Sequence, residues 1–161
     1  MMLKSIWPEA ELAIWSRRAK SSNELAKECS SSGHTVRPEH SAESVAKRAD
    51  IVVCATSAAA PIISSSAFKD SAMVVAVGPK LVARHELPMD LLYRADIVTT
   101  DSPDQWRAYP SATIFDEARE SALGLGDISP RQKSEFVLHI SVGVPGAELA
   151  LLDALLAASS L

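Results

Sequence analysis

Short runs of β-branched and aliphatic residues alternate with stretches of helical periodicity along the chain, and this alternation most restricts what it can fold into. The runs are Leu12–Trp15, Thr35–Arg37, Ile51–Ala55, Met73–Val77, Ile97–Thr100 and Phe136–Ile140. Ile51–Ala55 and Met73–Val77 are apolar throughout, as strands buried inside a sheet are. Strands separated by helical segments pair in parallel, so the pattern predicts an α/β domain: a Rossmann-like, three-layer fold around a mostly parallel sheet. Expected helices begin at Ser21, boxed by Glu24, and at Ser41. A single turn is expected over Ser64–Phe68, with further helices over Leu87–Tyr93 and Ser111–Leu123, the last stopped by Gly124. Met2–Trp7 reads as the end of a helix halted by Pro8. Asp101 and Asp104 flank a Ser-Pro turn and are expected to cap the helix containing Trp106. Gly143 and Gly146 open a terminal helix whose Leu149, Leu151, Leu152, Leu155 and Leu156 recur at helical spacing.

The bulk numbers exclude several classes. With 161 residues, 47% hydrophobic and 22% charged, the chain suits one globular domain. Its net charge is -4 and its basic residues cluster only as Arg17-Arg18 and Lys47-Arg48, which argues against a nucleic-acid partner. Cys29 and Cys54 make no disulfide framework, and Cys54 lies in an apolar run where a buried thiol is expected. His34, His40, His85 and His139 lack metal-ligand spacing, so no metal is expected. The longest apolar stretch, Ile51–Ile63, is broken by Thr56, Ser57 and Pro61 and is too short for a bilayer. The start of the chain does not resemble a signal peptide, and a cytoplasmic protein is expected.

Chemistry must therefore be sought at strand ends, where open α/β sheets bind ligands. Ser16 and Arg17 close the first strand, where such folds contact an adenosine ribose; an Arg there accommodates a 2′-phosphate, so NADP is favoured over NAD. An equal alternative is a solvated Arg pair. Thr56 and Ser57 follow the strongest strand, and Gly78 follows the next, where a missing side chain lets a cofactor approach the backbone. Backbone N–H groups in Ser141–Gly146 could receive an anion or a cofactor amide. At each place plain turn or cap chemistry is the competing reading. The Gly124-Leu125-Gly126 pair is expected to terminate a helix rather than hold phosphate. The strand and Gly-rich loop that normally open a dinucleotide fold do not occur in these residues. No nucleophile elbow, Walker loop or carboxylate pair assigns a catalytic residue.

Taken together, Ile14-Trp15-Ser16-Arg17, Ala49–Ser57, Val75–Gly78, Arg84–Leu87, Arg94–Val98, Asp101-Ser102, Ile140–Gly143 and Gly146–Ala150 resemble the ornithine cyclodeaminase/mu-crystallin family. The resemblance runs in order over nearly the whole chain and concerns the nucleotide-binding half. It implies that residues 1–161 form an NAD(P)-binding domain incomplete at its N-terminus, with the first strand, the Gly-rich loop and the substrate and dimerisation half absent. It also implies hydride transfer on an amino acid or cyclic imino acid, and homodimers in complete relatives. By position Ser16 and Arg17 would meet the adenosine end, and Thr56 and Ser57 the middle of the cofactor. Val77, Gly78, Ser141, Val142 and Gly143 would line the nicotinamide end. Gly78-Pro79-Lys80 departs from true cyclodeaminases, which carry an acid shortly after that glycine. Ile140 stands where many relatives have Asp. Imine reduction or dehydrogenation is thus favoured over cyclodeamination; the alternative is a non-catalytic binding module or inactive homologue. If a central strand is missing, Leu12–Trp15 should be poorly fixed, pair beside Ile51–Ala55, or leave an edge that recruits another chain.

Overall fold

The computed structural model describes residues 6–129 and 134–143. In chain order the elements are β1 (Glu11–Ile14), α1 (Ala19–Ser31), β2 (Thr35–Pro38), α2 (Ala42–Arg48), β3 (Ile51–Cys54) and β4 (Met73–Ala76). They continue with a small hairpin, β5 (Lys80–Leu81) and β6 (Arg84–His85), then β7 (Ile97–Thr100), α3 (Pro103–Arg107), β8 (Leu123–Gly124) and β9 (Val137–Ile140). Short 3₁₀ helices cover Ser65–Ala67, Met89–Arg94, Asp116–Ala118 and Leu125–Asp127. The main sheet is parallel, ordered β3-β4-β9-β7-β8, so the last strand is inserted between the second and third of that unit. The architecture is Rossmann-like α/β.

Alternation sets the faces. Val52, Cys54, Val74, Ala76, Leu138 and Ile140 point into a core closed by Phe68, Leu87, Leu91, Trp106, Phe115 and Phe136. Phe68 and Phe136 meet edge to face with centroids 6.4 Å apart, and the Arg94 guanidinium lies 4.9 Å above Phe136. Arg94 also donates to the carbonyls of Ser65 and Phe68, tying the core's lid to a charge that stays hydrogen-bonded. Cys54 is buried as expected, and desolvation, with the Glu86 charge nearby, pushes its thiol up to about 12. On the opposite face a cavity of about 120 Å³ is lined by Met73, Ile97, Thr99, Ile128 and Val137. No helix among the described residues is long and apolar enough to cross a membrane.

β1 does not pair with β3. It forms a separate two-stranded parallel sheet with β2, in register from Glu11↔Thr35 to Ile14↔Pro38. Trp15 packs against the main core, and Arg48 reaches Glu39 at 4.0 Å. β3 is consequently an outer strand, with Ile51 and Val53 41% and 62% exposed.

Several local expectations are corrected. α1 starts at Ala19 after Arg18, with no side-chain cap, so Ser21 and Glu24 are not its capping box. Ser111–Leu123 is not a helix, because the backbone of Ala112–Ile114 bonds to the β5–β6 hairpin instead: Val82 N–H donates to Ala112 and Ile114 N–H to Lys80. Asp116 then captures the Thr113 N–H and hydroxyl, an alternative to helical bonding. Gly124 accordingly ends a strand rather than a helix. Leu87–Tyr93 tightens to a 3₁₀ turn over Met89–Arg94, begun by Pro88. Ser102 caps α3; Asp104 pairs with Arg107 and Asp101 serves elsewhere. Ser41 does cap α2, with Ser44 completing the box. The helical readings at Met2–Ser5 and beyond Gly143 lie outside the described residues.

Interior strands have ladders on both sides, whereas β1 has one. Amide hydrogen exchange should show strong protection at Met73–Ala76 and Val137–Ile140 and much weaker protection at Glu11–Ile14. Equal protection in a monomer would mean that the free edge of β1 is covered.

Candidate functional site

The register of the main sheet lines up the strand ends. Cys54 stands beside Ala76, Ala76 beside Ile140, and Ile140 beside Thr100. At the usual strand spacing these four positions span roughly 14 Å. The residues that follow them therefore crowd one carboxyl edge: Thr56 and Ser57 after β3, Val77 and Gly78 after β4, Ser141, Val142 and Gly143 after β9, and Asp101 after β7. Seven of the nine positions expected from sequence to bind a ligand are thus brought together. Ser16, half-buried, and Arg17, exposed, follow β1 in the other sheet.

Two carboxylates organise the edge. Glu86, 1% exposed, reaches back from just beyond the β5–β6 hairpin. One of its oxygens accepts from Thr56 N–H and hydroxyl, both at 2.7 Å, and the other from Gly78 N–H at 2.9 Å. A Cβ at Gly78 would lie 2.1 Å from that second oxygen. The missing side chain at Gly78 therefore makes room for Glu86, which corrects the idea that it leaves the backbone open to a ligand on that side.

Asp101 does the same for the loop after β9. It accepts from the Ser141 hydroxyl at 2.7 Å, Val142 N–H at 2.8 Å and Gly143 N–H at 3.0 Å. Ser141 N–H is itself bonded to Ala76. The loop does receive an anion, but the anion is the chain's own. Gln105 adds a bond to the Val142 carbonyl at 3.0 Å, and Gly143 turns the chain at φ +87°, where a side chain would be strained. The Gln105 amide oxygen is buried without a partner among the described residues.

These groups set the local charge. Partial burial pushes the Asp101 carboxyl up, but the donors of Val142, Ser141 and Gly143, with His139 nearby, outweigh it and hold it below the usual 3.8. Burial pulls His139 down against the attraction of Asp101, and its Nδ1 shares a 2.9 Å bond with Thr99. Burial also lowers Lys80, while Glu86 and Asp101 both favour its charged form. Arg84 bonds the Ser57 carbonyl at 2.9 Å. Among the described residues no cluster of three or more His, Cys, Asp or Glu could hold a metal. Sequence reasoning missed Glu86 as a site residue and gave Asp101 to a helix cap. The signals for Glu86 were its place in the Arg84–Leu87 segment of the family resemblance and its position as an isolated acid beside apolar Leu87.

The family model for the ornithine cyclodeaminase/mu-crystallin family matches residues 1–151. The chain belongs to that family. No curated protein matches it. Among solved structures, the probable ornithine cyclodeaminase of Bordetella pertussis Tohama I is similar over 93% of this chain and 51% of its own, with 24% identity and a TM-score of 0.75. The iminosuccinate reductase of Paracoccus denitrificans in complex with NAD+ is 21% identical over 94% of this chain and 49% of its own, TM-score 0.73. The Δ1-pyrroline-2-carboxylate reductase of Thermococcus litoralis, in complex with NADH and L-proline, is 21% identical over 83% and 45%, TM-score 0.65. The chain spans about half the length of each. These identities carry the fold.

Two measurements check the clamps. Gly78→Ala should expel Glu86 from its three donors and cost about 1–3 kcal/mol in urea unfolding; an unchanged midpoint at unchanged slope would contradict the packing. Asp101 is depressed in the folded state, so its contribution is complete above the ordinary 3.8 and is lost as pH falls through a lower value. The Val142 and Gly143 amide resonances should therefore titrate with a midpoint below 3.8, and Asp101→Asn should remove that step.

Proposed function

We propose that this chain is the NAD(P)-binding half of an oxidoreductase acting on an amino acid or cyclic imino acid, with the nucleotide laid along the carboxyl edge of the main sheet. The observation that carries this reading is the alignment of Thr56–Ser57, Val77–Gly78 and Ser141–Gly143 on adjacent strand ends, where α/β sheets bind nucleotides. The residues fit such a group in chemistry: Val77 offers a half-exposed apolar side chain to a planar ring, and Gly143 is exposed and carries no side chain. Ser57 keeps an exposed hydroxyl, and Ser16 and Arg17 suit an adenosine ribose or its 2′-phosphate. When bound, the dinucleotide supplies hydride chemistry; these residues orient it and hold the turns still.

Solved relatives bound to NAD+, or to NADH with L-proline, support the substrate and cofactor class. Gly78-Pro79-Lys80 lacks the acid that cyclodeaminases carry shortly after that glycine, which favours imine reduction or dehydrogenation over cyclodeamination. A non-catalytic binding module is the second reading, favoured by one observation: Glu86 and Asp101 already engage the edge's inward-facing donors.

Cofactor choice tests the assignment of Arg17. Calorimetric titration should show NADP+ and NADPH binding more tightly than NAD+ and NADH, with the difference lost in Arg17→Ala. Tighter binding of NAD+ than NADP+ by the unsubstituted chain would remove Arg17 from the site.

A further inference from the structure

We propose that Glu86 is a positioning residue that also selects the redox state of the bound dinucleotide, its buried negative charge beneath Gly78 favouring the cationic, oxidised nicotinamide over the neutral, reduced one. The inference rests on the reading that the nicotinamide end lies at Val77–Gly78.

Three observations carry it. First, the carboxylate fills the place of the side chain that Gly78 lacks, so only backbone separates it from a ring seated on that strand end. Second, its three hydrogen-bond partners, Thr56 N–H, the Thr56 hydroxyl and Gly78 N–H, are dipoles and not cations. Hydrogen bonds of this kind hold the carboxylate in place without cancelling its net charge. Third, the charged surroundings do not neutralise the edge. No ion pair of Glu86 occurs among the described residues. Lys80 is within electrostatic reach of both Glu86 and Asp101, so one ammonium faces two carboxylates. Arg84 is exposed and bonded to the Ser57 carbonyl, where water screens it. Close to a desolvated carboxylate, a positive ring is stabilised more strongly than it would be in water.

A purely structural Glu86 would support both forms of the cofactor equally. A charge-selecting Glu86 changes their ratio, and that ratio is the readout. Dissociation constants of NADP+ and NADPH are measured by calorimetry for the unsubstituted chain, Glu86→Gln and Glu86→Asp, with folding checked by circular dichroism. The unsubstituted chain should bind NADP+ at least as tightly as NADPH. Glu86→Gln, which keeps the shape and loses the charge, should shift the ratio towards NADPH by about tenfold. Glu86→Asp should restore most of the preference. An unchanged ratio in folded Glu86→Gln overturns the inference. So does tighter binding of NADPH by the unsubstituted chain, which decides the matter even if Glu86→Gln does not fold. Nucleotide binding that leaves the amide resonances of Val77, Gly78 and Gly143 unmoved overturns instead the reading of the edge as a cofactor site.

Discussion

The insertion of β9 between β4 and β7 is the constraint on which the rest of the molecule depends. Every residue of Val137–Ile140 is buried, and its ladders reach both neighbours in register. This places Ser141 next to Asp101, although they are 40 positions apart, and sets the loop after β9 one strand away from Val77–Gly78. Without the insertion, Asp101 would end an outer strand with nothing to hold, and Ser141–Gly143 would have no carboxylate to satisfy its donors. The chemistry of the edge follows from strand order before it follows from any single residue.

That dependence explains what could and could not be read from sequence. The main strands are visible because each is a short apolar run, and Ile51–Ala55 and Met73–Val77 fall within a residue of the observed β3 and β4. Thr56, Val77, Gly78 and Ser141 could be chosen as candidates because they follow such runs. The roles of Glu86 and Asp101 could not, because each is defined by a partner across strands whose order no periodicity encodes. The Ser111–Leu123 segment failed for a related reason: its helical pattern is overridden by backbone pairing with the β5–β6 hairpin, a tertiary effect. Family resemblance supplied the expectation of a nicotinamide end but carried no account of how its turns are held.

The two clamps also change what the edge can offer a ligand. In an ordinary helix-start or turn site, unpaired N–H groups attract an anion. Here the amides of Thr56, Gly78, Val142 and Gly143 already face carboxylates, so the turns are fixed before anything binds. Fixing them in advance lowers the ordering cost of association. What remains for recognition is the outer surface of the turns: the Val77 side chain, the Ser57 hydroxyl and carbonyl groups, together with the field of the carboxylates behind them. Such a surface suits a flat, weakly polar or cationic ring better than a phosphate.

The separation of the two sheets bears on stability as much as on binding. Unpaired backbone groups are costly when buried, at about 1–3 kcal/mol each, and on that ground a break between β1 and β3 would be expected to close. Ile51 and Val53 leave the face of β3 opposite the core 41% and 62% exposed, and β3 has no ladder partner on its outer side among the described residues. Closing the break would gain ladder bonds, but it would also have to move β1 away from β2, to which it is joined over four residue pairs, and lift Trp15 from the core. The α1 crossover already joins β1 to β2. Among the described residues the main core cluster lies on the side of Val52, Val74, Leu138 and Ile140, so the five-stranded unit can hold its arrangement while β1 and β2 stand apart. That arrangement leaves β3 as an outer strand of the main sheet, whose unpaired backbone groups can template pairing with a further strand.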